Sequence, residues 1–418
     1  MLIARFLRRI ITAGELILYD ARGGAHRIGD PGTGPQVRVR LHDRALNRRL
    51  LLNPRLRLGE AYMGGSLTVE DGRIYDLLAL LTRSLGSSTA GWLDRLQEWL
   101  RLLRRRISQI NGLDRARRNV AHHYDLSGAL YDLFLDSDRQ YSCAYFPEPG
   151  SDIERAQLAK KRHIAAKLLL KPGQEVLDIG SGWGGLALYL AEAGQARVTG
   201  ITLSREQLAH ARARAGHRGL DRQVHFALRD YRQQRGRFDR IVSVGMFEHV
   251  GLPNYPGFFR KVADLLSDDG VALIHTIAQR DPPCPTNPWL QRYIFPGGYT
   301  PSLSEILPAV EAAGLWVTDI EVLRLHYAET LRCWRQRFLE NREAAAGLYD
   351  DRFCRMWEFY LAGSEVAFRY QGHMVAQIQV AKSIDSVPLT RDYIGEWERA
   401  HPPPGPEGRG DRLRVARS

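Results

Sequence analysis

The sequence predicts an α/β protein in which a doubly wound, mostly parallel sheet follows a small N-terminal α+β, partly helical domain. From Gln174 onward, strand-like apolar runs alternate with helical runs, the pattern of parallel strands joined by crossover helices. A glycine-rich turn joins the first of these strands to the first helix. A length of 418 residues exceeds what one ordinary core needs and therefore favours two domains.

The N-terminal elements come first along the chain. Apolar residues between Leu2 and Ile11 recur at helical spacing and predict an amphipathic helix, and a second such helix is predicted between Trp92 and Ile107. Between them, "PQVRVRLHD" alternates like a strand, and "LTVEDGRIYDLLALL" predicts a strand, a turn and a helix. "SLGSSTAG", residues 84–91, is the best linker candidate.

Charge is concentrated in this N-terminal part. Residues 1–120 contain 22 Arg, no Lys and 11 acidic residues, which accounts for nearly the whole net charge of +12. Basic amphipathic helices with Trp and Leu on the apolar side suit an anionic lipid surface. The alternative is that both helices pack into the N-terminal domain with solvated arginines. Nucleic acid is not expected as a partner, because no nucleic-acid motif accompanies the charge.

Composition narrows the classes of protein further. No run of about 18 apolar residues exists that could span a membrane. Arg5, Arg8 and Arg9 interrupt what a secretory signal would need as an apolar core. Four widely spaced cysteines fit neither a metal site nor a disulfide scaffold, so free thiols in a reducing cytoplasm are the simplest interpretation.

The elements of the larger sheet follow in order. "QEVLDIG", "ARVTGIT", "QVHFAL", "FDRIVSVG" and "GVALIHTI" are predicted strands, and "WGGLALYLAEAG", "SREQLAHARARA" and "YPGFFRKVADLL" are predicted helices. "LWVTDIEVL" and "HMVAQIQVAK" predict two late strands separated by mostly helical residues, and the last strand is expected to be antiparallel. The final twenty residues are rich in Pro, Gly and Arg and are predicted to be disordered.

The turn "VLDIGSGWGG" is the first candidate site. Its glycines let the backbone turn sharply and approach a ligand, and the following helix offers free N–H groups. The order D-x-G-x-G-x-G resembles the S-adenosylmethionine loop of class I methyltransferases, which have a Rossmann-like fold. The residues of this loop predicted to bind the cofactor are Val176, Asp178, Gly180, Ser181, Gly182, Trp183 and Gly184.

A second cofactor element is expected where the next strand ends. An acidic residue often binds the ribose there, but this sequence has "GITLSREQ". Hydroxyl and amide groups could make the same hydrogen bonds, and the predicted residues are Thr202, Leu203, Ser204 and Gln207. Asp230 and Tyr231, after the third strand, either meet the adenine or are loop-surface residues.

Specific motifs resemble the cyclopropane fatty acid synthases, including the mycolic acid cyclopropane synthases. The matching pieces include "HHYDLSGALYDLFLD", "YSCAYF", "FEHVG", "LIHTI", "IFPGG" and "HYAETL", spread over roughly residues 119 to 380. "LLLNPRLRLGEAYMGGSLTVEDG" also looks like the accessory domain of members that act on phospholipids. The resemblance implies methyl transfer from S-adenosylmethionine to a cis double bond of an acyl chain, followed by proton loss and ring closure.

The resemblance also implies a cage for bicarbonate, the base that removes the proton. It places Cys143, Glu248, His275 and Tyr327 in this cage, with the main chain near Ile277. A carboxylate beside an anion is repulsive unless a proton is shared or His275 is charged. Cys143, His275 and Tyr327 also have plain structural interpretations, as a buried thiol, a core histidine and a packed tyrosine.

Other positions complete the expected site. The family resemblance makes Tyr141 and Ser142 cofactor contacts, and His249 is more plausibly a loop residue than a catalyst. Relatives often have cysteine where this chain has Ser181, and the glycines should tolerate the hydroxyl. Relatives also often have cysteine where this chain has Ser364, which either substitutes for it or shows that the position is not essential.

These inferences predict a cytoplasmic enzyme, peripheral on the anionic membrane surface, that cyclopropanates unsaturated acyl chains of phospholipids. The expected domains are an accessory domain over 1–115, a catalytic domain over 116–397 and a disordered tail over 398–418. One alternative is an enzyme that leaves a methyl or methylene branch. Another is a non-catalytic lipid-binding protein on the same fold. The sequence does not decide whether the protein forms a homodimer.

Overall fold

The computed structural model describes residues 1–85 and 127–403. Its N-terminal part combines four strands with four helices. The strands are β1 (Gly14–Tyr19), β2 (Ala25–Asp30), β3 (Gln36–Leu41) and β4 (Leu67–Asp71), and the helices are α1 (Leu2–Leu7), α2 (Leu46–Leu52), α3 (Pro54–Met63) and α4 (Ile74–Leu85).

The N-terminal sheet has the strand order β2-β1-β3-β4. β1 pairs with β2 antiparallel and with β3 parallel, and β3 pairs with β4 antiparallel. Val37, Val39 and Leu41 of β3 alternate with more exposed arginines. One face of this strand is therefore buried while the other meets solvent.

The larger sheet begins at Glu175 and has helices on both sides. Its strands are β5 (Glu175–Ile179), β6 (Arg197–Thr202), β7 (Val224–Leu228), β8 (Phe238–Val244), β9 (Leu266–Gln279), β10 (Trp316–Val322) and β11 (His373–Ala381). The helices before, between and after them are α5 (Gly128–Asp132), α6 (Ile153–Lys167), α7 (Gly185–Gly194), α8 (Arg205–His217), α9 (Tyr255–Leu265), α10 (Pro288–Tyr293), α11 (Leu303–Glu311), α12 (His326–Glu340), α13 (Arg342–Leu348), α14 (Asp351–Tyr370) and α15 (Asp392–Ala400).

The larger sheet has the strand order β10-β11-β9-β8-β5-β6-β7. β5 to β9 pair in parallel, whereas β11 is antiparallel to both of its neighbours. The order reverses at β5, so the carboxyl ends of β5 and β8 form the crevice in which such folds bind ligands. The mostly parallel sheet with an antiparallel last strand confirms the predicted fold class.

The core of the N-terminal part is shared with the larger part. Apolar side chains of α1 to α4 and β1 to β4 form one buried cluster, which also contains Ala362 and Val366 of α14. Farther along the same helix, Trp357 and Tyr360 belong to a different cluster of mostly aromatic residues. α14 therefore packs into two cores at once.

Several elements differ from the sequence prediction. α1 ends at Leu7, because Ile10 and Ile11 reach the core through a turn instead of through further helix. β1, β2 and α15 were not identified from the pattern, and α15 runs to Ala400, so the predicted disordered tail begins with helix. The second basic helix, most of the linker and the domain boundary at 115 lie outside the described residues.

A helix that spans a membrane needs about 20 mostly apolar residues. Within residues 1–85 and 127–403, none is long and apolar enough to cross a bilayer.

Candidate active site

A cleft opens at the carboxyl edge of the larger sheet, between the turn after β5, the end of β6 and the segment before α6. We refer to it as the cofactor cleft. Most residues predicted to bind the cofactor line it. They are Tyr141, Ser142, Asp178, Gly180, Ser181, Gly182, Trp183, Thr202, Leu203, Gln207, Asp230 and Tyr231.

The glycine-rich turn has the conformation that its sequence requires. Gly180 has a φ of +86°, and a Cβ there would lie 2.9 Å from the Met246 side chain. The N–H groups of Gly180 and Ser181 both donate to the Ile201 carbonyl, at 2.9 and 3.0 Å, which anchors the turn to β6. A side chain at Gly180 would therefore strain the backbone and displace a wall of the cleft.

Three predicted cofactor residues lie outside the cleft lining. Val176 is fully buried in the core between the sheet and α7, since it lies deeper in β5 than Asp178. Gly184 has a φ of +85°, starts α7, and packs against Phe226. Ser204 caps α8, and its side chain accepts from the Gln207 N–H. Their roles in this structure are to build the elements that carry the cleft residues.

Hydrogen-bonding groups at the end of β6 replace the missing carboxylate. The Thr202 hydroxyl donates to Gln207 Oε1 at 3.0 Å and accepts from the Ser204 N–H at 3.2 Å. Asp230 also lines the cleft, but its carboxylate accepts from the Arg232 guanidinium at 2.8 Å. The Asp230 carboxylate is thus already paired with a cation.

Two side chains that line the cofactor cleft carry buried polar atoms without a hydrogen-bond partner among the described residues. Asp178 Oδ2 and Ser181 Oγ are buried and have no partner in the described part of the chain. Burial raises the pKa of Asp178 to about 7. Because buried polar groups are nearly always satisfied, such atoms indicate the place of a polar ligand. These residues fit the polar groups of S-adenosylmethionine.

Glu248 and His275 both lie near the carboxyl edge of β8 and β9. β8 pairs with β9 as far as Val244 and His275, so the N–H of Ile277 lies beyond the last strand pair. The Glu248 carboxylate occupies that position, and its Oε1 accepts from the Ile277 N–H at 2.7 Å. Glu248 follows β8 in a short 3-10 turn, Phe247–His249.

Each of these two side chains has one buried polar atom that remains without a partner. They are Glu248 Oε2 and His275 Nε2, and this holds within the described ranges. Glu248 is 9% exposed and His275 is 2% exposed, so water does not readily satisfy them. A pair of unsatisfied buried atoms fits a small polar group held between protein side chains.

Burial also sets the charge of the two groups. It raises the pKa of Glu248 to about 7 and lowers the pKa of His275 to about 3. Near neutral pH the imidazole is therefore uncharged, and the carboxyl group is the member that can hold a proton. Of the two alternatives that the sequence left open, these directions favour a shared proton over a charged His275.

His249, the sequence neighbour of Glu248, lies on a different side of the site. It lines the cofactor cleft, and burial lowers its pKa to about 4. Its ring lies 6.3 Å from that of Phe295, in the segment "IFPGG". His249 is thus part of the lining of the cofactor cleft, and its imidazole is uncharged near neutral pH.

A buried lysine links the cofactor cleft to His275 and was missed from the sequence. Lys160 of α6 is fully buried, and its Nζ donates to Gln140 Oε1 at 2.6 Å and to Ser142 Oγ at 2.9 Å. Burial lowers the pKa of His275 and the positive charge of Lys160 adds to that effect, whereas at Cys143 the same charge opposes the rise in pKa that burial causes. Burial lowers the pKa of Lys160 to about 8, and neighbouring aspartates oppose that shift.

Cys143 lies in the core beside this lysine. Its thiol is 1% exposed and donates to the Ala144 carbonyl at 3.3 Å. Burial raises the pKa of the Cys143 thiol far above neutrality. Cys143 can therefore contribute packing or a weak hydrogen bond, but not a thiolate.

Tyr327 belongs to an aromatic cluster that adjoins the cofactor cleft. Its ring lies 5.9 Å from that of Trp334, which stacks on Tyr141 at 5.2 Å. The Tyr141 hydroxyl is 2.8 Å from that of Tyr360. Tyr141 is common to this cluster and to the lining of the cleft, so the two are continuous.

Ser364 lies on α14, close to that cluster. It is half-buried and lies one helical turn from Tyr360 and one turn from Phe368, whose ring is 4.7 Å from that of Tyr327. These positions put Ser364 on the cluster side of α14. They do not make it a neighbour of Glu248 or His275.

Comparisons with known proteins agree with this arrangement. The family model described as mycolic acid cyclopropane synthetase matches residues 111–378. A cyclopropane-fatty-acyl-phospholipid synthase of Escherichia coli is 37% identical over 360 residues, which are 85% of this chain and 90% of that protein. A tuberculostearic acid methyltransferase of Mycobacterium tuberculosis is 37% identical over 385 residues, 87% of each chain.

A shorter match and a solved structure add to these. A probable fatty acid methyltransferase of Pseudomonas putida is 43% identical over 256 residues, 60% of this chain and a little under two thirds of that relative's length, 65%. The mycolic acid cyclopropane synthase CmaA1, solved with SAH and CTAB, superposes with a TM-score of 0.60 at 34% identity. That comparison covers 64% of this chain and 98% of the solved one.

These matches confirm the predicted fold and the dependence on S-adenosylmethionine. The family model spans well over half of the chain, and two relatives are aligned over most of their own length. The protein is therefore an enzyme that belongs to the mycolic acid cyclopropane synthetase family of S-adenosylmethionine-dependent methyltransferases.

Proposed function

We propose that this enzyme adds a methylene unit from S-adenosylmethionine to the cis double bond of unsaturated acyl chains in membrane phospholipids, forming a cyclopropane ring. The observation that carries the proposal is the pair of unsatisfied buried atoms, Glu248 Oε2 and His275 Nε2. A methyl transfer to a nitrogen or oxygen releases an acidic proton that can pass to solvent, so it does not require a base held in a site from which water is excluded. A reaction that must also remove a proton from carbon does.

The chemistry makes two demands on the protein. When the alkene takes the methyl group, the carbon–sulfur bond breaks, a carbon–carbon bond forms, and the neighbouring alkene carbon becomes positive. Loss of a proton from the new methyl then leaves its electron pair to close the ring. The protein must hold the reactants in line and keep water away from the cation.

The aromatic cluster meets the second demand. Tyr141, Trp334, Tyr327 and Tyr360 are largely buried and form edge and stacked contacts beside the cofactor cleft. Aromatic faces attract a cation without donating electrons to it as water would. These side chains would therefore stabilise the positive carbon and limit its hydrolysis.

The residues around Glu248 fit a bound bicarbonate ion. It would supply a small base for the methyl proton. The protein atoms that would hold it are Glu248 Oε2 and His275 Nε2, with Cys143 and Tyr327 as the further members implied by the family resemblance. A protonated Glu248, favoured by its raised pKa, can donate a hydrogen bond to an anion instead of repelling it.

An enzyme that leaves a methyl or methylene branch is the second candidate. The relatives named as fatty acid and tuberculostearic acid methyltransferases are as similar to this chain as the cyclopropane synthase of Escherichia coli. The two products share the same cation and differ in which proton is lost. The non-catalytic alternative is disfavoured, because the glycine turn and the polar groups of the cleft are intact.

Lipid analysis of cells that express the protein tests the proposal. We expect a gain of one methylene unit by mass spectrometry together with upfield ring-methylene signals by proton NMR. The same mass gain with branched-chain signals would replace the proposal by the second candidate. No change in lipids, with intact S-adenosylmethionine binding, would contradict both.

The N-terminal part supports a peripheral position on the membrane. Leu2 and Phe6 of α1 are 58% and 49% exposed, and Leu52 at the end of α2 is 75% exposed. α1 and α2 lie together, since the Ile3 N–H donates to Asn47 Oδ1 at 3.0 Å. We call this surface the N-terminal face. Its exposed arginines are Arg5, Arg8, Arg9, Arg48, Arg49 and Arg55.

Exposed apolar side chains on arginine-rich helices suit an anionic bilayer surface. The N-terminal domain, over residues 1–115, would hold the enzyme on the cytoplasmic side of the membrane, where residues 116–397 reach an acyl chain. Phospholipids with unsaturated chains would be the substrate on this surface.

A further inference from the structure

His275 has a second neighbour besides the region of Glu248. Gln377 of β11 lies directly opposite His275 in the antiparallel pairing of β9 and β11. Its side chain is fully buried, and its Nε2 lies 3.2 Å from His275 Nδ1. The other end of the amide, Gln377 Oε1, has no partner in the described part of the chain.

This contact determines which ring nitrogen carries the proton. A neutral imidazole has one N–H, and the nitrogen that accepts a hydrogen bond is the one without it. With the amide oriented as in the structure, its N–H donates to Nδ1, and this orientation corresponds to the tautomer of His275 with the proton on Nε2. The Nε2 atom is the buried one that has no partner.

Packing alone does not explain an amide at this position. A methionine of similar length would fill the same space without burying an unpaired oxygen such as Gln377 Oε1. The surrounding charges do not require it either, because the nearby ammonium groups of Lys160 and Lys167 already favour an uncharged ring. Unlike methionine, the amide can donate a hydrogen bond to Nδ1 of His275.

We propose that Gln377 is a positioning residue, which holds His275 in the tautomer with the proton on Nε2 so that the imidazole presents a hydrogen-bond donor beside Glu248. The inference rests on the proposed function for its purpose, since a donor suits the anionic base postulated there. The tautomer itself is a property of the protein alone. It can therefore be measured without substrate.

The chain offers a matched control two residues along β11. Gln379 is also fully buried and lies on the same side of the strand as Gln377. Its Nε2 donates to the Lys167 carbonyl at 2.6 Å and to the Tyr393 hydroxyl at 3.0 Å, and its register partner is Leu273. Substitution of Gln379 disturbs the same strand without touching His275.

The first experiment reads the tautomer directly in the wild-type protein. Long-range proton–nitrogen correlation spectra of ¹⁵N-histidine-labelled enzyme distinguish protonated from unprotonated ring nitrogens, and a His275→Gln variant assigns the signal. We expect His275 with protonated Nε2 and unprotonated Nδ1 at neutral pH. A protonated Nδ1 would overturn the inference, whatever the enzyme does to lipids.

The second experiment changes the direction of the hydrogen bond. In Gln377→Glu the carboxylate accepts from Nδ1–H, so we expect the proton to move to Nδ1 or the ring to become charged. Turnover of unsaturated phospholipid vesicles should fall by about 10- to 100-fold, the scale for partners that orient a functional histidine. S-adenosylmethionine affinity, measured by calorimetry, should stay within a few fold.

Two further variants separate orientation from packing. Gln377→Met removes the donor while it keeps the volume, and Gln379→Met is the control for damage to β11. We expect Gln377→Met to lose the tautomer preference and turnover, and Gln379→Met to keep the wild-type His275 signal. Equal turnover in wild type and Gln377→Met, with the tautomer lost, would overturn the positioning role.

A failure of the proposed function would look different. Wild-type enzyme would then modify no lipid, while the His275 signal would still report the protonated nitrogen.

Discussion

The two sheets of this enzyme differ in how far their strands are exposed to water. In the N-terminal sheet, β2 and β3 expose one side to water, where polar side chains are easily satisfied. In the larger sheet, β5 and β9 are almost entirely buried. Within residues 1–85, Asn53 Oδ1 is the buried side-chain atom without a partner, whereas the carboxyl edge of the larger sheet has several.

The exposed side of the N-terminal sheet is an ordinary solvated surface, whereas the carboxyl edge of the larger sheet is suited to binding polar ligands. The unsatisfied atoms of Asp178, Ser181, Glu248 and His275 lie where β5, β8 and β9 end. Burying such atoms destabilises the ligand-free protein, and a ligand that satisfies them recovers the loss. Substitutions at the carboxyl edge of the larger sheet should therefore have larger effects than substitutions in the N-terminal part.

The substitution Glu248→Gln should have the largest effect. The amide can keep the shape of the side chain, but it cannot share a proton with an anion as a carboxyl group does. We expect kcat on phospholipid vesicles to fall on the order of 10²- to 10³-fold. Calorimetric binding of S-adenosylmethionine should be retained, because Glu248 is not part of the cleft lining.

His249→Gln is the matched control, since His249 is the next residue and lines the cofactor cleft. We expect a milder loss of kcat and a measurable rise in the KM for S-adenosylmethionine. Equal losses of kcat in both variants would contradict the separation of the two side chains into different parts of the site.

Stability should depend on pH through the same carboxyl group. The folded state holds the Glu248 proton up to about pH 7, whereas the unfolded chain releases it near pH 4.5. The folded state therefore binds more protons between these values and loses stability as pH rises through them, by on the order of 3 kcal/mol. Denaturant titrations of wild type and Glu248→Gln should show a shallower decline in the variant; identical pH slopes would contradict the assignment.

The contact between the two parts can be tested at Gly59 of α3. A Cβ there would lie 2.4 Å from the indole nitrogen of Trp289 in α10. We expect Gly59→Ala to lower the free energy of unfolding by about 1–3 kcal/mol through overpacking, despite the better helix propensity of alanine.

Gly216→Ala in α8 is the control for propensity, because nothing lies within 4 Å of its Cβ position. It should be neutral or stabilising by about 0.4–1 kcal/mol. A stabilised Gly59→Ala would show that α3 and α10 are not in close contact.

The smallest effect is expected at the N-terminal face. The double variant Leu2→Ser, Phe6→Ser should partition onto vesicles with anionic lipid about tenfold less, since losing the partial burial of these side chains in lipid costs on the order of 1.4 kcal/mol. Sedimentation with vesicles measures this. Leu389→Ser, at a fully exposed leucine outside this face, is the control.

Surface substitutions test membrane binding better than removal of residues 1–110. That deletion would expose Ala362 and Val366, which complete the N-terminal core. Loss of activity would then report misfolding as readily as loss of the membrane. Unchanged partitioning of the double variant would contradict the proposed role of the N-terminal face.

The architecture of the larger sheet follows from the sequence because its signals are local. Alternating strand and helix runs, glycines at the first turn and the N-cap at Ser204 all act within a few residues. β1 and β2 were missed, since "GELILY" has no alternation of polar and apolar residues and "AHRIGD" contains few apolar ones. The positions of Glu248 and His275 were predictable because parallel strands end at one edge.

Lys160 and Gln377 could not be predicted in the same way. In "AQLAKKRHIAAK" a lysine on a helix normally faces water, and the burial of Lys160 depends on the distant segment that contains Gln140 and Ser142. In "QIQ", alternating glutamines indicate a solvated side of a strand. Both sides of β11 are covered here, so Gln377 is enclosed instead.

Because α14 contributes to two cores, it affects the order in which the parts of the chain can fold during synthesis. Residues 1–85 leave the ribosome before α14 does, and their core is completed by Ala362 and Val366, which are synthesised nearly three hundred residues later. Until then the exposed apolar side of this nascent sheet must avoid other chains. The N-terminal part is thus translated before α14 but cannot complete its core until α14 has followed.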